Sequence, residues 1–411
     1  MSRALLGIKF STIWEPFKVL ILNMPGLNFV RNMFLLIYLP IEVSGVIFFL
    51  FTFKHFSLTI LFGFPRYNIL KFAENSSKKY IYSSIRNDLR LIFVPALILL
   101  LIYFFFIDIV LPESLMISSN VLQMIFLWVL FDLIKVYICS FLLTFKKYLI
   151  VSFFTGNCFS IISILLVYFS SAMSTEKVLS VFIFASLIEL LIILTSFYSK
   201  KLPRQEEDSQ KSIQKIKHGM KNFLFDSSEV AFYSLPVFVI SALADENLFY
   251  IFNSAVIFFM SAGVISAVTR RYFFPKFAKS FSKKDFLNSL FFLMTVCVIG
   301  SILFFFLLDI ILNIKPLLKE YKILIFYFFL SGLFISFSFF SRTIYSLKVN
   351  ISRITRINLF YLFKFICTIL IINAFNILNL INISSFYLIS SGAYCFYTTF
   401  LTLRAVQLNE K

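Results

Sequence analysis

Apolar residues run along this chain in blocks of about twenty, separated by short polar connectors. The blocks fall at 12–38, 41–63, 90–111, 119–144, 148–172, 177–198, 222–244, 247–269, 286–309, 321–345, 357–377 and 382–403. A bilayer core takes roughly 20 apolar residues per helix, so the pattern predicts about twelve transmembrane helices. A membrane barrel would need alternating segments of about ten residues punctuated by turns. Here the runs are unbroken, and in lipid only a helix satisfies every backbone group within one such run. The fold class is an all-α polytopic membrane protein.

The connectors alternate in charge. Basic residues crowd 66–90 (Arg66, Lys71, Lys78, Lys79, Arg86, Arg90), the turn at Lys146-Lys147, and 199–221. They also crowd 270–285 (Arg270, Arg271, Lys276, Lys279, Lys283, Lys284) and 342–356 (Arg342, Lys348, Arg353, Arg356). The intervening connectors, such as Pro112-Glu113-Ser114 and Asp245-Glu246-Asn247, are nearly free of them. One breaks the trend with Lys315, Lys319 and Lys322. By the positive-inside bias both termini are expected in the cytoplasm.

The most polar stretch, 199–221, lies at the midpoint and reads as a cytoplasmic linker. It divides a six-helix N-terminal lobe (1–198) from a six-helix C-terminal lobe (222–411). An internal repeat agrees: Leu39-Pro40-Ile41-Glu42 resembles Leu243-Ala244-Asp245-Glu246, an offset of 204 residues. The same offset carries Arg66 onto Arg270 and the run at 119–144 onto 321–345. An even helix count per half makes these parallel repeats, a pseudo-symmetric pair about the membrane normal.

Composition narrows the function. Of 411 residues, 60% are hydrophobic and 14% charged, whereas soluble domains average about 45–50% and about 25%. This excludes a soluble enzyme and a disordered regulator. The net charge of +18 sits in connectors, which points to a membrane surface and not to nucleic acid. The five cysteines, Cys139, Cys158, Cys297, Cys367 and Cys395, lie inside apolar runs without CxxC spacing. They read as packing residues, with no metal or cofactor expected. No cleavable signal peptide is visible, and no G-x-x-x-x-G-K-[ST] sequence supports a nucleotide-driven pump.

Two segments carry a resemblance. Leu39-Pro40-Ile41-Glu42-Val43-Ser44-Gly45 resembles the "LGPEEYG" turn after the first helix of bacterial polysaccharide flippases. Phe274-Pro275-Lys276-Phe277-Ala278-Lys279 resembles their "FPRLAK" segment after the eighth helix. The chain thus resembles the Wzx-type O-antigen and lipid-linked oligosaccharide flippases. These sit in a superfamily with the multidrug/toxic-compound extruders and the lipid II flippases. The resemblance implies a non-enzyme of the bacterial inner membrane that moves a polyprenyl-diphosphate-linked oligosaccharide from the cytoplasmic to the periplasmic leaflet. It implies alternating access, coupling to a proton or sodium ion, and a polysaccharide polymerase and chain-length regulator as partners. Where many members carry an Asp-Arg pair in the seventh helix, this chain has Ser234-Leu235-Pro236.

Ionisable groups within spans cost about 2.5–3.5 kcal/mol each at the helix centre on insertion scales, so each needs a reason. They are Lys54 and His55 in the second span, Asp132 and Lys135 in the fourth, Glu189 in the sixth and Lys364 in the eleventh. Arg31 and Lys18 lie in the first. A diphosphate head needs fixed positive charge where water screening is weak. Lys54, Lys135 and Lys364 are the expected ligands, with Arg31 and Lys18 as further candidates. The bland alternative is that lysines near helix ends snorkel to the interface. Asp132 and Lys135, three residues apart, share one helical face. They form either a bundle-locking pair or a switch in which the diphosphate takes Lys135 and frees Asp132 for a cation. Glu189 has no basic residue within a helical turn, which suits it to cation coupling together with Asp132. The 204-residue offset maps Asp132, Lys135 and Glu189 onto Ser336, Phe339 and Ala393, so charge chemistry is expected in the N-terminal half. The aromatic load, with 19 Tyr, could stack on sugar rings, but most of it is expected to be lipid-facing Phe and interfacial Tyr.

Three other classes compete. An O-antigen polymerase would carry a large periplasmic loop, and no outside connector here exceeds roughly a dozen residues. A major-facilitator transporter would carry G-x-x-x-D-R-x-G-R-R after its second helix, where this chain reads Phe64-Pro65-Arg66-Tyr67-Asn68. A cation-coupled multidrug extruder shares the expected fold and differs in the sign of the charge around its cargo.

Overall fold

The computed structural model describes residues 25–57, 101, 119–144, 158–198, 282–314, 316–348, 351–375 and 377–408, and parts of 223–279. Nearly all of them are helical, and no strand occurs among them. Five of the helices are long and apolar enough to cross a bilayer: Asn120–Cys139, Thr175–Thr195, Lys283–Asn313, Lys322–Leu347 and Ser352–Ala374.

Helix ends follow local chemistry. α1 (Pro25–Tyr38) begins on a proline, whose fixed φ and missing N–H suit a first turn. The Leu39-Pro40 turn leads into α2 (Ile41–Ser57). α3 is Ser119–Thr144, the span predicted from hydropathy. α4 (Cys158–Phe169) stops at Ser171, whose φ of 47° lets Ala172 N–H donate back to the Val167 carbonyl at 3.2 Å. That is the left-handed end of a Schellman-type cap. α5 (Thr175–Tyr198), α7 (Glu246–Ser261), α9 (Lys283–Ile314) and α13 (Leu380–Leu408) each follow a capping residue. These caps are Ser174, Asp245, Ser282 and Asn379, and each accepts a backbone N–H three residues on, at 3.5, 2.7, 3.4 and 2.9 Å. The remaining helices are α6 (Ser234–Leu243), α8 (Phe274–Lys279), α10 (Pro316–Lys319), α11 (Lys322–Lys348) and α12 (Ile351–Ala374).

The repeat is visible in where helices start. α2, α3 and α5 begin at Ile41, Ser119 and Thr175, and α7, α11 and α13 begin at Glu246, Lys322 and Leu380. The α3–α5 pairing of the first half is matched by α11–α13 in the second. The twelve-helix, two-half layout is consistent with this order.

Lipid faces and cores separate clearly. α9 shows Phe291, Val298, Ile302, Phe306 and Ile310 outward, each more than half exposed. One core surrounds Trp128, with Phe51 and Phe182 rings at 5.2 and 5.3 Å. A second surrounds Tyr387, with Phe365, Phe328 and Phe259 at 4.8, 5.3 and 5.6 Å. More of the described phenylalanines are buried than exposed, which, for the described part of the chain, runs against the expectation that most face lipid. In lipid, helix association rests on close packing, and aromatic rings fill these contacts.

Small residues set the closest helix approaches. At the seam between halves, a Cβ on Gly45 of α2 would lie 2.9 Å from Tyr250 Cα of α7, and Ser44 and Ser254 hydroxyls meet at 3.3 Å. Between α7 and α11, a Cβ on Gly332 would collide with the Phe259 carbonyl oxygen and lie 2.9 Å from Ala262 Cβ. Gly300 in α9 meets nothing within 4 Å. Overpacking costs about 1–3 kcal/mol, whereas an unobstructed helical Gly→Ala gains up to about 1 kcal/mol. Gly332→Ala is therefore expected to lower the melting temperature of the purified protein in detergent, while Gly300→Ala leaves it unchanged or raises it. Equal behaviour of the two in a fluorescence-detected thermostability assay would contradict this packing.

Candidate functional site

Five helices of the N-terminal half converge on one charged cluster. Asp132 and Lys135 sit one turn apart in the middle of α3, and Lys135 Nζ lies 2.5 Å from Asp132 Oδ1. The same ammonium donates to Glu189 Oε2 of α5 at 2.7 Å. Lys54, in the last turn of α2, reaches Asp132 Oδ2 at 3.3 Å. Arg31 of α1 is buried and donates through Nε and Nη2 to the Asn32 side-chain oxygen at 3.1 and 2.7 Å.

Aromatic rings wall the cluster. The Phe159 ring of α4 faces three cations: Arg31 Cζ at 5.2 Å, Lys54 Nζ at 5.5 Å and Lys135 Nζ at 5.7 Å. Trp128 lies 4.6 Å from Lys54 Nζ, and Phe51 lies 4.6 Å from the Arg31 guanidinium. Ring faces are negative, so these contacts hold cations where water is scarce. Among the described residues three cations meet two carboxylates, which leaves one positive charge in excess when all are ionised.

The cluster also keeps unused polar capacity. Among the described residues, Glu189 Oε1, Ser186 Oγ and Trp128 Nε1 are buried without a hydrogen-bond partner. Ser186 and Glu189 stand one turn apart on α5. A buried polar atom without a partner is costly, so this corner suits a proton or a further ligand.

The sequence-based candidates divide as follows. Arg31, Lys54, Asp132, Lys135 and Glu189 come together at this one site. Glu189, expected to stand alone, is paired with Lys135 from a helix 54 residues earlier. Lys364 is not brought here; it lies exposed on α12 of the C-terminal half. Lys18 lies outside the described residues. Sequence reasoning missed Phe51, Trp128, Phe159, Asn32 and Ser186, because single aromatics and serines in apolar runs give no local signal.

The C-terminal half has its own buried cation. Arg342, expected in a connector, lies inside α11, is fully buried, and donates through Nε to the Ser338 carbonyl at 3.3 Å. Its guanidinium is 5.2 Å from the Tyr394 ring. Nearby polar groups form a neutral chain, in which Tyr394 donates its hydroxyl to Asn358 and Asn358 donates to Ser228 at 2.9 Å. Lys322, from the connector that broke the charge trend, is paired with Asp309 at 2.6 Å.

Comparison with known proteins follows the fold and not the sequence. No protein-family model matches the chain, and no curated protein matches it. A multidrug resistance MATE family transporter of the MOP superfamily, in an outward-facing conformation, superposes with a TM-score of 0.68 at 13% identity, covering 97% of both chains. An inward-facing structure of such a transporter gives a TM-score of 0.58 at 11% identity, covering 96% of this chain and 99% of that one. A MOP superfamily transporter from Pyrococcus furiosus, described by a binding pocket of reverse polarity that suggests a different function, gives 0.57 at 10% identity. It covers 98% of this chain and 96% of that one. The chain has the MATE-like fold of these transporters.

The geometry makes Lys135 the lock of the cluster. Lys135→Met would leave Glu189 with no partner and Asp132 with Lys54 alone; breaking a buried pair this way costs about 3–5 kcal/mol. Lys54, whose side chain is 16% exposed, contributes less. Lys135→Met should therefore melt well below Lys54→Met in detergent, and adding Glu189→Gln to Lys135→Met should recover part of the loss. A Lys135→Met variant as stable as wild type would show that the cluster locks nothing.

Proposed function

We propose that this chain is an alternating-access membrane transporter whose cargo is an anionic amphiphile, and that the cargo is a polyprenyl-diphosphate-linked oligosaccharide flipped between leaflets. The observation that carries the reading is the aromatic-walled cluster with its excess positive charge. Within it, Lys54 and Arg31 are the groups to meet the diphosphate. Lys54 holds one carboxylate at 3.3 Å and is partly exposed, whereas Lys135 is committed to two at 2.5 and 2.7 Å. Lys135 thus becomes a positioning residue. An arriving diphosphate competes with Asp132 for Lys54, and either the freed Asp132 Oδ2 or the unpartnered Glu189 Oε1 takes the coupling proton or sodium ion, with Lys135 still holding both carboxylates. No nucleotide is hydrolysed. In this reading the protein sits in a bacterial inner membrane with both termini cytoplasmic. The two lobes on either side of 199–221 rock at the α2–α7 seam, and a polymerase and chain-length regulator act on the product.

A second reading is a cation-coupled multidrug extruder, and the structural neighbours favour it over oligosaccharide flipping. The MATE transporters among them are described as multidrug resistance proteins. Asp132 and Glu189 would then hold a cationic drug against Phe51, Trp128 and Phe159. Charge sign separates the two readings, since only the flippase needs Arg31 and Lys54 free to meet cargo.

Binding to the full-length protein in nanodiscs tests this. Undecaprenyl diphosphate is expected to bind and to raise the melting temperature, whereas ethidium does not. Lys54→Ala and Arg31→Ala should each weaken the diphosphate at least tenfold, about 1.4 kcal/mol. Binding of ethidium that is lost in Asp132→Asn and strengthened in Lys54→Ala would establish the extruder reading instead.

A further inference from the structure

α12 and α13 run antiparallel, joined near 375–379, and neither contains an aspartate or glutamate. They carry Arg353, Arg356, Lys364 and Arg404. All four are exposed, and among the described residues none has a carboxylate within ion-pair distance. Tyr361 of α12 lies 4.7 Å from Tyr394 and 6.0 Å from Tyr397 of α13, which fixes the register. Arg353 and Arg356, in the first two turns of α12, therefore share one end of the pair with Arg404, in the last two turns of α13.

A cavity of about 390 Å³ opens at this end, lined by Arg356, Ile357, Phe360, Tyr361 and Tyr397. The surface around it is lipid-facing: Phe360, Phe363 and Ile371 are 65%, 68% and 54% exposed. The cavity thus joins a guanidinium and two phenols to an apolar wall. Those are the parts that a phosphate headgroup and the first carbons of an acyl chain require. Lys364 lies eight residues beyond Arg356, about 12 Å deeper along the helix. An ammonium on a lipid-facing surface at that depth must find an anion or extend toward the interface.

We propose that this groove binds an anionic glycerophospholipid of the surrounding leaflet, with Arg356 on the phosphate and Tyr361 and Tyr397 framing it. The groove lies apart from the charged cluster of the N-terminal half, so phospholipid here and cargo there are separate ligands.

Native mass spectrometry of the full-length protein, released from nanodiscs of mixed phosphatidylglycerol and phosphatidylcholine, tests the site. Wild type should retain phosphatidylglycerol at least fivefold over phosphatidylcholine. Arg356→Gln should bring that ratio close to one, and Tyr361→Phe with Tyr397→Phe should lower it at least twofold. Lys284→Gln, at an exposed lysine at the start of α9, should leave it unchanged. Each variant is first confirmed to elute as wild type on size exclusion. Three results would overturn the proposal: no preference in wild type, an equal fall in Lys284→Gln and Arg356→Gln, or displacement of phosphatidylglycerol by equimolar undecaprenyl diphosphate in wild type. The second would assign the preference to overall basic charge, and the third would assign the groove to a diphosphate lipid.

Discussion

One ammonium group organises the N-terminal half. Lys135 holds Asp132 of its own helix and Glu189 of α5, and Asp132 in turn holds Lys54 of α2. Three helices are thereby tied by largely buried charges. At such burial neither carboxylate is tolerable without its cation, nor the cation without both carboxylates. The rings of Phe51, Trp128 and Phe159 close the remaining sides. The surroundings therefore favour this pairing, while Glu189 Oε1, Ser186 Oγ and Trp128 Nε1 keep no hydrogen-bond partner among the described residues.

Among the described residues hydropathy located the long helices, because lipid imposes one rule on every span. The run at 119–144 coincides with α3. The Asp132–Lys135 pair was also legible, since three-residue spacing places both on one face. The Lys135–Glu189 bond was not, because register between helices far apart in sequence leaves no trace in local pattern. Arg342 was misplaced for a related reason. Ser341-Arg342-Thr343 reads as the polar end of an apolar run, yet α11 continues to Lys348 with the guanidinium packed against Tyr394. Lys322 broke the charge trend of the connectors, and its pairing with Asp309 neutralises it locally.

The offset repeat extends to architecture and stops at chemistry. α3–α5 and α11–α13 are equivalent pairs, but the positions matching Asp132, Lys135 and Glu189 hold Ser336, Phe339 and Ala393. Apart from Arg342 and the Lys322–Asp309 pair, the described polar contacts of the C-terminal half are neutral. The Ser228–Asn358–Tyr394 chain, the Ser341–Thr399 hydroxyl pair at 3.1 Å and the Thr402 hydroxyl on the Ser341 carbonyl at 3.0 Å join its helices. Neutral hydrogen bonds in membranes are modest individually, so this half relies more on close packing, as at Gly332.

The contacts between halves are of a third kind. Along α2 and α7 they consist of the Gly45–Tyr250 approach, one serine pair, and Phe49 set against Phe238 and Phe249 at 5.6 and 5.7 Å. No ion pair crosses this seam among the described residues. Dispersion contacts fall off within an ångström or so of separation, and parting them uncovers no charge. Parting α3 from α5 would strand Lys135 and Glu189. The least costly motion therefore keeps the Lys135–Asp132 and Lys135–Glu189 pairs intact and opens the apolar seam beside them. For a transporter of the proposed kind, this places the charge-sensing residues and the moving surface on opposite faces of α2. Cargo charge can then act on the seam through the single helix that carries both Lys54 and Gly45.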